Sequence, residues 1–107
     1  MTSTAASKNA LPIRLPDERW SHITEEHCEL AGLRLEVLET IAEADRVLAG
    51  NAGENLAVRE YEPGKFLVVA HREGAADGFI ITAFLTRRVR SLERRRQLWP
   101  SQPSSHT

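Results

Sequence analysis

Two histidines five residues apart, His22 and His27, lie in the stretch Glu18-Arg-Trp-Ser-His-Ile-Thr-Glu-Glu-His27 and are the first candidates for chemistry in this chain. An unperturbed imidazole titrates near pH 6.5, so a histidine at a helix end facing a sheet suits general acid or base work. Residues i and i+5 of a regular helix stand about 140° apart. The pair can serve one substrate only if the helix ends between them, and the end is expected there. Glu26, four residues after His22, is spaced to orient that imidazole. The bland alternative is one partly buried, satisfied imidazole and one solvated one, and spacing alone favours it.

A second constellation lies late in the chain. Thr82 and Thr86, at i and i+4 of a predicted strand, share a face. Strict alternation would put Phe79 and Ile81 on one side of that strand and Ile80, Thr82 and Phe84 on the other. A threonine among aromatics is ordinary β-structure, but it can also donate a hydrogen bond to a phosphate. Arg87 and Arg88 follow directly, with Arg90 close behind, and guanidinium groups grip phosphates with paired donors. His22, His27, Cys28 and His71 are metal-ligand types, but no zinc spacing is present. Cys28 reads as a small apolar residue, and no metal or other cofactor is expected. Glycine-rich phosphate loops and nucleophile elbows are absent from the sequence.

The elements that must position these residues follow from periodicity. Residues 1–11 are small and polar and are expected to form a mobile tail. Pro12–Pro16 is an extended lead-in, and Asp17 is placed to cap a first helix running to about Glu26 or Cys28. Gly32 separates it from a second helix over Leu33–Glu43, whose apolar stripe includes Val37, Leu38 and Ile41. Strands are expected at Arg46–Ala49, Asn55–Glu62, Lys65–Arg72 and Phe79–Thr86, with a turn at Pro63-Gly64. Short links between these strands imply an antiparallel meander. Val89–Trp99 is either a basic helix or an irregular arm docked through Trp99, and residues 100–107 read as a disordered tail. The expected architecture is α+β, a single domain over residues 12–99, with two N-terminal helices packed on a three- to four-stranded antiparallel sheet.

Charge is unevenly distributed along the 107 residues. The net charge is −1, yet residues 1–62 hold six Lys and Arg against twelve Asp and Glu, while residues 63–107 hold eight against three. Six arginines fall between Arg87 and Arg96, a pattern that suits phosphates, an acidic partner, or simply a solvated basic helix face. One cysteine excludes an internal disulfide framework and fits a reducing compartment. No apolar run reaches the roughly 20 residues needed to cross a bilayer, and the N-terminus lacks the apolar core of a secretory signal. A cytoplasmic protein with no membrane partner is expected.

Taken in order, Glu18-Arg-Trp-x-His-Ile-x-x-x-His-x-Glu29, Ala44-Asp-Arg-Val47, Lys65-Phe-Leu-Val-Val69, Ile81-Thr-Ala-Phe84 and Leu98-Trp99 resemble the phage-type branch of the barnase–EndoU–colicin–RelE-like (BECR) nuclease fold. The resemblance covers about residues 13–99. It implies a ribonuclease-like fold and a metal-independent, toxin- or phage-type endoribonuclease. One side chain would take a proton from a ribose 2′-hydroxyl, another would protonate the leaving oxygen, and arginines would offset the added charge. His22, His27 and Thr82 match the family's polar motif positions, and Arg87, Arg88 or Arg90 would hold the substrate phosphate. Cys28 stands where the family commonly has proline. RNA is the implied partner, together with a possible inhibitory antitoxin. The alternatives are a non-catalytic module binding nucleic acid or protein, and a partner-regulated toxin–antitoxin component.

Overall fold

The computed structural model describes residues 1–101, the side chain of Val89 excepted. Its elements run β1 (Thr2–Ala6), β2 (Pro12–Pro16), α1 (Asp17–Glu26), a 3-10 turn (Cys28–Leu30), α2 (Arg34–Ala42), β3 (Arg46–Ala49), β4 (Asn55–Glu62), β5 (Lys65–Glu73), β6 (Gly78–Thr86), α3 (Val89–Glu93) and β7 (Gln97–Trp99). Among the described residues the strands form one seven-stranded sheet in the order β1-β2-β6-β5-β4-β3-β7. This corrects the expected three- to four-stranded antiparallel sheet carrying two helices, and with it the BECR-type fold class. The sheet is mixed, because β2 runs parallel to β6.

The difference comes from three added strands, β1, β2 and β7: Gln97–Trp99, expected within a basic helix or irregular arm, pairs antiparallel with β3, and α3 covers only Val89–Glu93. Thr2–Ala6, read above as part of a mobile tail, has too little apolar content to announce itself, yet it pairs with β2 along its whole length. Its partner was legible only as an extended segment. A parallel β2–β6 pair needs a long crossover, and everything from α1 to β5 supplies it. The contact is short, Ile13 opposite Gly78 and Arg14 opposite Phe79. Gly78 is needed there: a Cβ would strike the Arg72 backbone oxygen and approach Ile13. Residues 102–107, most of the expected C-terminal tail, lie outside the described residues.

The sheet has an inner and an outer face. On the inner face Ile23 of α1, Leu30, and Val37 and Ile41 of α2 pack against Ile13, Leu15, Leu67, Val69, Ile80 and Ala83, with Trp20 at the margin. Trp20 and Ile23, three apart on α1, are its anchors. On the outer face Leu92 of α3 covers Leu48, Leu56, Val58, Val68 and Ala70, while Phe66, Ile81 and Phe84 pack beside them and remain only partly buried. Ile23 and Ile41 are the pins that hold the helices to the sheet. Ile23→Ala is expected to cost about 3 kcal/mol, lost transfer energy plus the cavity left behind. Urea unfolding followed by circular dichroism reads that loss as a lower midpoint at unchanged slope.

The sheet is strongly curled. In a flat array six spacings of about 4.8 Å would hold the edge strands roughly 29 Å apart. Here Lys8, in the β1–β2 turn, places its Nζ 4.5 Å from the centroid of the Trp99 ring on β7. The two edges therefore approach each other around α2, which touches β1, β4 and β5. Arg34 ties α2 to the β2–α1 junction, 2.7 Å from an Asp17 carboxylate oxygen and donating to the Leu15 carbonyl. Asp17 thus serves as the first residue of α1, where a carboxylate also suits the helix dipole; Pro16 occupies the cap.

Candidate functional site: an arginine cleft on the outer face

After β6 the chain turns onto the outer face and spends its next ten residues there. Arg88 N–H donates to Thr86 Oγ1 at 3.0 Å, and Ser91 Oγ donates back to the Arg88 carbonyl at 2.9 Å. These local bonds start α3, and buried Leu92 pins it to the sheet. With Leu92 buried, Arg90, Ser91 and Glu93 of this short helix are exposed. Arg87, Arg88, Arg90 and Arg94 are exposed and, with Ser91, line an open cleft of about 550 Å³. A second cleft of about 490 Å³ shares Ser91 and Arg94 and continues to Arg95, Arg96 and Asn51. Arg95 is held in place, donating to the Asn51 side chain at 2.9 Å and to the Ala49 carbonyl at 3.3 Å.

The opposite side of the molecule is acidic. Glu18, Glu25 and Glu26 of α1, Glu29, and Glu39 and Glu43 at the end of α2 are exposed. The charge asymmetry along the sequence is therefore an asymmetry across the sheet: carboxylates over the helices, guanidiniums over α3. A nearly neutral chain can present a strongly positive face in this way.

The remaining candidates from the sequence do not join this cleft. α1 ends at Glu26, so His22 and His27 do fall on either side of a helix end, with the His27 N–H donating to the Ile23 carbonyl. His22 is half exposed, 3.7 Å from Glu26, and lines a separate shallow cleft with Glu18 and Arg19. His27 stands 3.5 Å from Glu29 and beside Phe84, the ring centroids 6.3 Å apart. Phe84 lies beyond the short stretch of β6, Gly78 and Phe79, that pairs with β2. Thr82 lies on the outer face, but its Oγ1 is buried and has no hydrogen-bond partner among the described residues. Arg87, Arg88 and Arg90 are the candidates the fold brings together; His22, His27 and Thr82 are not gathered with them.

One arrangement escaped the sequence reading. A bulge interrupts the β5–β6 register, so that Ala70 pairs with Thr82 and His71 with Ile80, leaving Ile81 between. Beyond the bulge the alternation inverts. Phe79, Ile81, Thr82 and Phe84 all belong to the outer face and Ile80 to the inner one, whereas uninterrupted alternation separated Phe79 and Ile81 from Thr82 and Phe84. Nothing in the residue types signals the bulge.

His71, set aside in the sequence, is the most deeply buried titratable side chain, only 1% exposed. Its Nε2 approaches Glu73 at 3.3 Å without good alignment, and Nδ1 lies 3.4 Å from the Val69 carbonyl. Desolvation holds its pKa below the ordinary 6.5, against the pull of that carbonyl and of Glu73. Glu73 accepts from Asn9 Nδ2 at 2.7 Å. Burial pushes its pKa up, but hydrogen bonds from Asn9 and Ser7 and the neighbouring imidazole outweigh that and leave it below 4.5. This cluster joins the β1–β2 turn to β5 and is built for structure.

Fold and cleft together define an α+β protein with a curled mixed sheet, acidic on its helical face and arginine-rich on the other. Comparison with protein-family models, with curated proteins and with solved structures gives no match to this chain. Among the described residues no helix is long and apolar enough to cross a membrane.

Proposed function

We propose that this protein is a nucleic-acid-binding module that holds the phosphates of RNA in the arginine cleft beside α3, without cleaving them. The observation that carries this reading is the grouping of Arg87, Arg88, Arg90 and Arg94 around one open cleft, on the face turned away from the acidic helices. Guanidinium forks bind phosphate oxygens in pairs and release counterions on contact. The acidic face repels the same polyanion, so the molecule approaches RNA in one orientation.

A metal-independent endoribonuclease requires an acid and a base within reach of one phosphate. None of His22, His27 and Thr82 lines the arginine cleft, which is why binding is favoured over cleavage here. Fluorescence anisotropy of a labelled RNA across a salt series tests the proposal, with a gel of the same RNA after long incubation in chelator. Steeply salt-dependent binding of intact RNA is expected, and His22→Ala/His27→Ala should bind as the parent protein does. RNA cut by the parent protein and spared by the double variant would instead establish the ribonuclease. Failure to bind RNA at low salt would overturn the nucleic-acid reading altogether.

A further inference from the structure

We infer that the outer face of β6 is a track for a single strand, with a base stacked on Phe79 and the phosphates held at both ends by arginines. This rests on the nucleic-acid reading above and adds to it the form of the ligand. Phe79 is one of the few large apolar side chains left exposed, at 40%. It is flanked in register by Arg14 on β2 and Arg72 on β5. Paired residues of neighbouring strands share a face, so the ring stands between two guanidinium-bearing side chains at one end of β6. Arg14 is half exposed and shares its charge with Asp77 at 3.2 Å, while Arg72 donates to the Ala52 carbonyl at 3.2 Å. Both are thereby positioned without being buried.

At the other end of β6 lies the arginine cleft, and between the two Ile81 and Phe84 remain partly uncovered, with the Thr82 hydroxyl buried and His27 beside Phe84. The nine residues of β6 span about 30 Å, room for several nucleotides. An aromatic ring between cations, joined through Ile81 and Phe84 to a second cationic cluster, fits an extended strand whose bases are unpaired. Stacking needs a free base face, which a duplex keeps hidden, while the arginines alone serve either form. The exposed apolar ring is the feature that a site for double helices does not need.

The test compares a labelled 12-nucleotide uridine oligomer with an RNA hairpin stem of equal charge, by anisotropy, for the parent protein, Phe79→Ala and Phe79→Trp. Removing one stacked base costs on the order of 1–3 kcal/mol, or about 5- to 150-fold in affinity. Phe79→Ala is expected to lose that factor for the oligomer at an unchanged salt slope, and to bind the stem as before. Phe79→Trp should retain oligomer binding, and its indole fluorescence should be quenched on saturation. The solvent position of Phe79 keeps both variants foldable, checked by circular dichroism. Equal affinity for stem and oligomer, or a Phe79→Ala protein that binds the oligomer as tightly as the parent, would refute the single-strand track and leave the phosphate cleft standing. Absence of salt-dependent binding to either RNA would remove both.

Discussion

Replacing Arg87, Arg88, Arg90 and Arg94 together by alanine is expected to weaken RNA binding several hundred-fold at 0.1 M salt and to flatten its salt dependence. The magnitude follows from counterion release. Four phosphate contacts on a single strand give a slope of about −2.8 in log K against log salt, so the gain between 1 M and 0.1 M salt is on the order of 10^2.8. All four side chains are exposed, so the substitutions should leave the fold intact. Arg95 is left out because it donates to Ala49 and Asn51 and supports the loop after β3. Each arginine removed singly should lower the slope by about 0.7. Net charge needs its own control. Arg88→Ala/Arg90→Ala and the single reversal Arg19→Glu both lower the charge by two, but Arg19 belongs to the acidic face on α1. If the two proteins lose slope equally, the effect is one of overall charge and the cleft has no special part in it.

The arginines illustrate what a sequence can and cannot carry. Their number and crowding between Arg87 and Arg96 are plain in the residue order, and so is the affinity for phosphate that guanidiniums bring. Their position opposite the glutamates of α1 and α2 is not, because it depends on which face of the sheet each segment reaches. Local elements were legible for local reasons. The stripe through Val37 and Ile41 has helical period, Gly32 and Gly64 adopt the positive φ angles of 82° and 77° at their breaks, and β3 to β6 are rich in β-branched and aromatic residues. The parallel pairing of β2 with β6 rests on two residue pairs far apart in sequence, and β1 is a run of small residues held by its pairing with β2. Neither leaves a pattern. The bulge at Ile81 sets Phe79 and Phe84 on a common face, which the proposed single-strand track requires. Periodicity assumes an unbroken ladder and so misassigns that strand.

Histidine placement shows the same division. The end of α1 between His22 and His27 was foreseeable from their 140° separation if both were to act together. In the fold that end turns His27 toward Phe84 and leaves His22 beside Glu26, so satisfying the angular requirement did not bring the two to one point. The histidine whose environment is most altered is His71. Its burial follows from its place on β5, the central strand of the inner core, and not from any neighbour in sequence.

Stability should fall in two steps on acidification, the first set by His71 and the second by Glu73. The His71 imidazole has a folded pKa below 6.5 because it is desolvated. Below that pH the unfolded chain takes up a proton that the folded protein refuses, so unfolding is favoured as pH falls from 6.5 toward the folded value. Over that window the loss approaches about 1.4 kcal/mol per pH unit. Glu73 has a folded pKa below 4.5, and its contribution, present above that value, is lost as pH drops further. Urea midpoints at pH 7.5, 6.0 and 5.0 check the first step. His71→Leu keeps the buried volume roughly constant and removes the imidazole, so its midpoint should change little over that range. Equal pH dependence in the two proteins would refute the assignment. Glu73, beside His71, is bonded to Ser7 and Asn9 of the β1–β2 turn, whose Lys8 spans to Trp99 on the far edge of the sheet. Asn9→Ala, which removes the 2.7 Å bond to Glu73, should cost about 0.5–1.5 kcal/mol at neutral pH and shrink the second acid step.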